Sequence, residues 1–179
     1  RVVPIYKESD PLKVSNYTPI SVLPTFSKIF EKSMAVRLVK FSHKFNIISS
    51  SQFGFQKNIS TSNAILDSVQ NIDNSLDARL HSLSIFLDLR KAFDTVNIEI
   101  LLGKLFNYGI RGLAHKWFQS YLDSRKQFVS IGKSCSTTEN ISIGIPQGSI
   151  LGPILFLFYI NDLPNCSRAE AVQVCAFCR

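Results

Sequence analysis

The stretch 150–160, ILGPILFLFYI, constrains this chain more than any other. It carries no charged side chain, so no face of it suits water. Pro153 excludes a central strand. A bilayer span needs about 20 residues, so this run is too short to cross one. It therefore predicts a core helix from about 150 to 161, with Pro153 inside it.

A second stretch raises a different problem. In SIFLDLRKAFDTVN (84–97) the apolar run 83–87 ends on Asp88, and a second acid, Asp94, follows a turn later. The run reads as a buried strand over 83–88. Strand-end carboxylates are one way to hold a divalent metal, because the strand fixes the side chain while its open end admits water and phosphate. A turn-forming or capping acid is the commoner explanation for such a residue. Asp94 reads as that kind of acid rather than as a ligand.

The rest of the chain frames these two features. At 179 residues, 45% hydrophobic and 18% charged, it is long and apolar enough for a globular core, and 14 Phe suggest a large aromatic one. The net charge of +7 is concentrated at the start. Residues 1–60 hold nine Lys or Arg, namely Arg1, Lys7, Lys13, Lys28, Lys32, Arg37, Lys40, Lys44 and Lys57, against Glu8, Asp10 and Glu31. Such a basic segment beside a near-neutral remainder suits a polyanion lying along one side; a solvated face is the bland alternative. No secretory leader is visible. Cys135, Cys166, Cys175 and Cys178 are expected as reduced thiols, with no disulfide partner. Cys175 and Cys178 have zinc-ligand spacing but lack a second pair.

Periodicity and turn signals give the elements. Residues 1–6 suggest an edge strand, since they include Pro4, and 8–19 read as a loop. Phe26, Ile29, Phe30, Met34, Leu38, Phe41 and Phe45 predict an amphipathic helix over 25–45. Ser60 or Thr61 caps a second, with Ile65, Val69, Ile72 and Leu76 on one stripe. Helices over 97–108, capped by Asn97 and stopped by Gly109, and over 112–123 follow. Residues 126–145 read as two strands around a turn. The fold class is α+β, with helices on a small antiparallel sheet. After the last strand, Pro146-Gln147-Gly148-Ser149 leads into the apolar helix, and Gly148 and Ser149 there would leave backbone N–H groups free.

Four blocks, NYTPISVLPTFSKIFEK, QFGFQKNIST, FLDLRKAFDTVN and GIPQGSILGPILFLFYINDLP, together resemble the reverse transcriptase of non-LTR (LINE-type, jockey-like) retrotransposons, in that family's order and approximate spacing. The resemblance runs from residue 1 to about 165. It implies polymerase-type fingers (1–80, basic and helix-rich) and a partial palm (81–165), a right-hand fold for RNA-templated DNA synthesis. It implies template RNA, a DNA primer and dNTP as partners, no membrane, Mg²⁺ as cofactor, and an intracellular setting near nuclear target DNA. Asp88 matches the first catalytic, metal-binding aspartate, and Leu89 would lend a backbone carbonyl to the metal. Phe93 matches the aromatic gate beneath the sugar, which rejects a ribose 2′-OH by shape. Lys91 and Ala92 match the turn along the triphosphate. Gln147 and Gly148 match the loop that contacts incoming nucleotide and template, and Lys57 falls where basic residues face phosphate. Lys28, Lys32, Lys40 and Lys44 are the candidate nucleic-acid contacts.

The departures are equally specific. After INDLPNCS the family continues into an aromatic-Ala-Asp-Asp box, whose aspartates complete the metal site. Residues 166–179 read as a divergent tail without that box, and no acid follows Glu170, as after a frameshift or truncation. Thr18, Gln56 and Ile59 stand where the family usually has basic residues, and a neutral side chain does not replace a guanidinium fork on phosphate. The chain is therefore expected to be a partial reverse transcriptase domain, inactive by itself. The alternative is a non-catalytic RNA-binding remnant.

Overall fold

The computed structural model describes residues 1–7, 10–56, 59–86, 89, 91–123 and 125–166. Its centre is the apolar run. Helix α5 (Gly152–Ile160) buries Leu155, Phe156, Leu157, Phe158 and Ile160, and Pro153 sits in its first turn, where a missing N–H costs nothing. Around it pack α1 (Thr25–Lys44), α3 (Ile98–Asn107) and α4 (Gly112–Leu122). They contribute Ala35 and Leu38, Leu101 and Leu105, and Phe118 and Leu122 to one continuous core.

Local chemistry sets the helix limits. The Asn97 side chain accepts the Ile100 N–H at 3.0 Å, and Gly109 closes α3 with φ +95°. Helix α2 (Thr61–Asp77) starts on Ser60 with a reciprocal capping box to Asn63. Its expected stripe of Ile65, Val69, Ile72 and Leu76 is present but buries nothing, and all four side chains are exposed. In α1 the buried positions are Glu31, Ala35, Leu38 and Ser42. Of the expected stripe, Leu38 is buried and Met34 and Phe41 pack against the core, whereas Phe26, Ile29, Phe30 and Phe45 are exposed. The aromatic core is accordingly smaller than 14 Phe suggested, with Phe118, Phe156 and Phe158 its fully buried members.

The strands form three separate two-stranded pairs among the described residues rather than one sheet. The expected loop over 8–19 ends early. β1 (Val2–Tyr6) runs antiparallel to β2 (Tyr17–Ser21), with Pro4 directly opposite Pro19. Ladder bonds join Val22 to Arg1 and Lys7 to Asn16, so by alternation the Pro4–Pro19 rung is one that exchanges no hydrogen bonds. Neither proline's missing N–H is needed within the hairpin. The expected pair of strands over 126–145 becomes four. β3 (Arg125–Gln127) pairs with β6 (Glu139–Ile141), and β4 (Ser130–Ile131) pairs with β5 (Ser134–Cys135).

The strand expected over 83–88 is not formed across 83–86, where Leu83, Ile85 and Phe86 are at least 75% exposed. A strand of this kind is held by ladder bonds and by cover on its faces. No strand lies alongside these residues among those described.

Leu155→Ala should destabilise the chain by about 2–5 kcal/mol, the usual cost of a core cavity. Val69→Ser on the exposed stripe of α2 should change stability by under about 0.5 kcal/mol. Denaturant unfolding of the two variants checks the contrast.

Candidate nucleotide and nucleic-acid site

One end of α5 gathers the residues singled out by sequence. The turn after residue 90 is closed by Asp94 and Thr95 N–H groups donating to the Lys91 carbonyl at 2.9 and 3.2 Å, with Lys91 itself at φ +55°. Residues 143–147 are laced onto it. Gly144 N–H donates to Val96 O at 2.7 Å and Ile145 N–H to Phe93 O at 2.8 Å. Only a glycine suits position 144, because its φ is +87° and a Cβ would lie 3.0 Å from the Asp94 carbonyl oxygen. The Phe93 ring, half-buried, rests on Phe156 with centroids 5.0 Å apart and meets Phe55 edge-on at 6.0 Å. Two residues beyond Ile145, the Gln147 carbonyl accepts the Ser21 N–H at 2.8 Å, and Gly148 (φ +101°) lies against Ser21. Lys91, Ala92 and Phe93 are thus joined to Gln147 and Gly148, with Lys91 and Gly148 exposed.

Of the N–H groups expected to be free before α5, that of Ser149 is taken, as are those of Ile150 and Gly152. Ser149 N–H donates to Pro146 O at 3.2 Å, and Gly152 N–H donates to Ser149 Oγ at 2.9 Å. Ile150 N–H donates to Glu31 Oε2 at 2.7 Å. A carboxylate from α1 holds the place where an anion would bind. Sequence reasoning missed Glu31, counting it only in the charge balance of residues 1–60. The signal was its position in step with Ala35, Leu38 and Ser42 on the buried stripe.

Glu31 Oε1 also accepts the Tyr121 hydroxyl at 3.1 Å and the Ser27 hydroxyl at 3.4 Å. Burial, and after it the Glu31 charge, push the Tyr121 hydroxyl well above the ordinary tyrosine value. Burial holds the Arg125 guanidinium below its usual value, against the opposing influence of Tyr121 and Glu31. At the far end of α5 the buried Asn161 side chain accepts Ser49 N–H at 2.8 Å and donates to Ile47 O at 2.7 Å and to the Tyr108 hydroxyl at 3.2 Å.

Lys28, Lys32, Lys40 and Lys44 are all exposed on α1, spread along roughly 24 Å of its length at 1.5 Å per residue. Arg37 joins Lys32 and Lys40 along a shallow groove with Ile29, Ser33 and Val36. Gln56, one of the neutral replacements, turns its amide back onto the Gln52 carbonyl. Leu89 is exposed and belongs to neither helix nor strand. Lys57 and Asp88 lie outside the described residues.

The family described as reverse transcriptase (RNA-dependent DNA polymerase) matches residues 5–178. The chain belongs to this family. As a reverse transcriptase it is of the non-LTR retrotransposon type. It is 35% identical over 154 residues, 84% of this chain, to a probable RNA-directed DNA polymerase from transposon X-element of Drosophila melanogaster. It is 33% identical over 157 residues (86%) to one from transposon BS of the same species. Over 158 residues (87%) it is 32% identical to the RNA-directed DNA polymerase from mobile element jockey of Drosophila funebris. The chain spans 16–17% of the length of these relatives.

Membership implies the fingers-and-palm polymerase fold, and the observed mixture of helices and small sheets accords with it. Reverse transcriptases use divalent metal ions and bind an RNA template, a primer and nucleotides. Among the described residues no three His, Cys, Asp or Glu side chains come together in a way that could hold a metal ion. The described residues therefore do not make up a metal site. Among them, too, no helix is long and apolar enough to cross a membrane.

The Tyr121 shift makes a pH prediction. The folded chain keeps this proton beyond the ordinary tyrosine pKa of about 10, where the unfolded chain releases it. Its contribution to stability is complete below that pH and is lost as pH rises through and beyond it. Stability profiled from neutrality to about pH 11 should fall more steeply in wild type than in Tyr121→Phe. Parallel profiles would refute the assignment.

Proposed function

We propose that this chain is the fingers (1–80) and part of the palm (81–165) of an RNA-directed DNA polymerase. Template RNA and a DNA primer lie along the basic face of α1, and the incoming dNTP sits at the joined turns. The observation that supports this best is the hydrogen bond from Ile145 N–H to the Phe93 carbonyl, which fastens the candidate sugar gate to the segment leading into Gln147 and Gly148. In this reading Phe93 excludes the ribose 2′-OH by contact, Lys91 and the backbone of Ala92 face the triphosphate, and Gln147 and Gly148 meet the nascent base pair. Lys57 supplies a further phosphate contact. Mg²⁺ is the proposed ion, with Asp88 and the Leu89 carbonyl on one side of its site. The paired aspartates of the family are not found in 166–179, whose one acid is Glu170. By itself the chain binds rather than polymerises.

Two experiments test this. Replacing Lys28, Lys32, Lys40 and Lys44 with Gln should weaken single-stranded RNA binding and flatten the slope of log K against log salt by about 3, at about 0.7 per phosphate contact. Unchanged affinity and slope would remove α1 from the interface. The exposed lysines of α1 also carry the second reading, a non-catalytic RNA-binding remnant. That reading expects the same salt response with RNA binding indifferent to Mg²⁺ and no dNTP binding. Phe93→Val should narrow the preference for dTTP over UTP, measured by competition on an RNA template with a DNA primer. A preference unaltered by Phe93→Val would argue against the gate.

A further inference from the structure

Among the described residues Glu31 is the one charged side chain that is fully buried, and the proposed function gives it no role. Its setting is specific. The residue sits on the inner face of α1, yet its carboxylate reaches a backbone amide 119 positions away, at Ile150. Tyr121 and Ser27 donate to its other oxygen. A buried carboxylate is costly unless fully hydrogen-bonded and electrostatically balanced. Here three donors, the N-terminal dipole of α5 and the Arg125 guanidinium share that task.

The amide it holds is the first one beyond the Pro146–Ser149 turn. That turn is otherwise closed on itself by the Ser149 N–H and hydroxyl, both donating to the Pro146 carbonyl. It is anchored from outside at two points described above. Ser21 of β2 donates to the Gln147 carbonyl, and Glu31 of α1 accepts from Ile150 N–H. Gln147 and Gly148 lie between these anchors. A hydrophobic side chain could fill the volume of Glu31, but it could not accept the Ile150 N–H, so the turn would lose one anchor.

We propose that Glu31 is a positioning residue for the nucleotide-contacting turn, setting the placement of Gln147 and Gly148 through the Ile150 amide. This rests on the functional reading above. The same helix carries Lys28 and Lys32 on its exposed side, so the nucleic-acid face and the turn are mechanically one piece.

The test uses the full chain with dTTP, an oligo(rA) template, an oligo(dT) primer and Mg²⁺. Glu31→Met keeps the bulk and removes both acceptors. It should weaken dTTP binding about tenfold, as expected if the turn, no longer anchored at Ile150, holds its binding placement about a tenth of the time. It should also speed hydrogen exchange at Ile150, while RNA affinity stays within about twofold, because the α1 lysines are untouched. Glu31→Gln should restore dTTP binding to near wild type. Its amide oxygen can accept the Ile150 N–H, and its NH₂ can donate to a reoriented Tyr121 hydroxyl.

Should Glu31→Met fail to fold, Glu31→Asp decides. The shorter side chain should weaken dTTP binding with folding retained, and unchanged binding would overturn the proposal. Wild-type dTTP affinity in a folded Glu31→Met, or equal damage in Glu31→Gln and Glu31→Met, would overturn it as well. Failure of the wild-type chain to bind dTTP would bring down the functional reading and this proposal together.

Discussion

A helix with no charged side chain has to be covered on every side, and the structure is organised around meeting that demand for α5. Its flanks are closed by α1, α3 and the turn that carries Phe93. Covering the flanks leaves its ends, where backbone groups need partners. Both ends are met by side chains that cross the molecule. Glu31 takes the Ile150 amide just ahead of the helix, and at the other end Lys104 Nζ donates to the Tyr159 carbonyl while the Asn161 side chain ties that end to Ile47 and Ser49. Two segments of the basic N-terminal part are therefore fastened to opposite ends of the central helix. The packing that solves a burial problem also fixes where the candidate gate and turn lie relative to the lysines of α1.

The retention of a charge inside this core follows the same logic. A well-packed hydrophobe can equal or exceed a buried ionic group in stability. It cannot reach out to a backbone amide. Tyr121 and Ser27 donate to one oxygen of a single carboxylate and the Ile150 amide to the other, so α1, α4 and the segment leading into α5 meet at one point. That specificity of placement is something apolar contact, being non-directional, does not supply.

How much of this was legible in the sequence depended on whether the deciding interaction was local. Asn97, Ser60 and Gly109 act within a few residues of themselves, and the helix limits they signal are observed. The run at 150–160 was legible because its composition leaves one solution. The segment 83–86 was not, since a strand depends on neighbours that its own residues do not specify. The stripe of α1 was legible only in part: Leu38 is buried and Met34 and Phe41 pack on the core, but Phe26, Ile29 and Phe30 are exposed and Glu31 faces inward. Motif resemblance found Phe93, Gln147 and Gly148, which the structure links through one short segment. It gave no hint that the amides beyond the turn are already claimed, because the claimant lies 119 positions earlier.

The opposed prolines of the first hairpin carry a consequence for assembly. On a rung that exchanges no bonds inside the hairpin, backbone donors point outward, toward any strand that might add alongside. Pro4 and Pro19 remove that donor from both outer margins at mid-length. A newcomer can find N–H groups only near the tips. At the open end Val2 already donates to the Phe128 carbonyl and Ser21 to that of Gln147, and at the other end Tyr17 donates to the Val14 carbonyl. The middle of the hairpin thus offers an added strand no donor, without any charged gatekeeper, and at its open end the outward donors are already used by the rest of the chain.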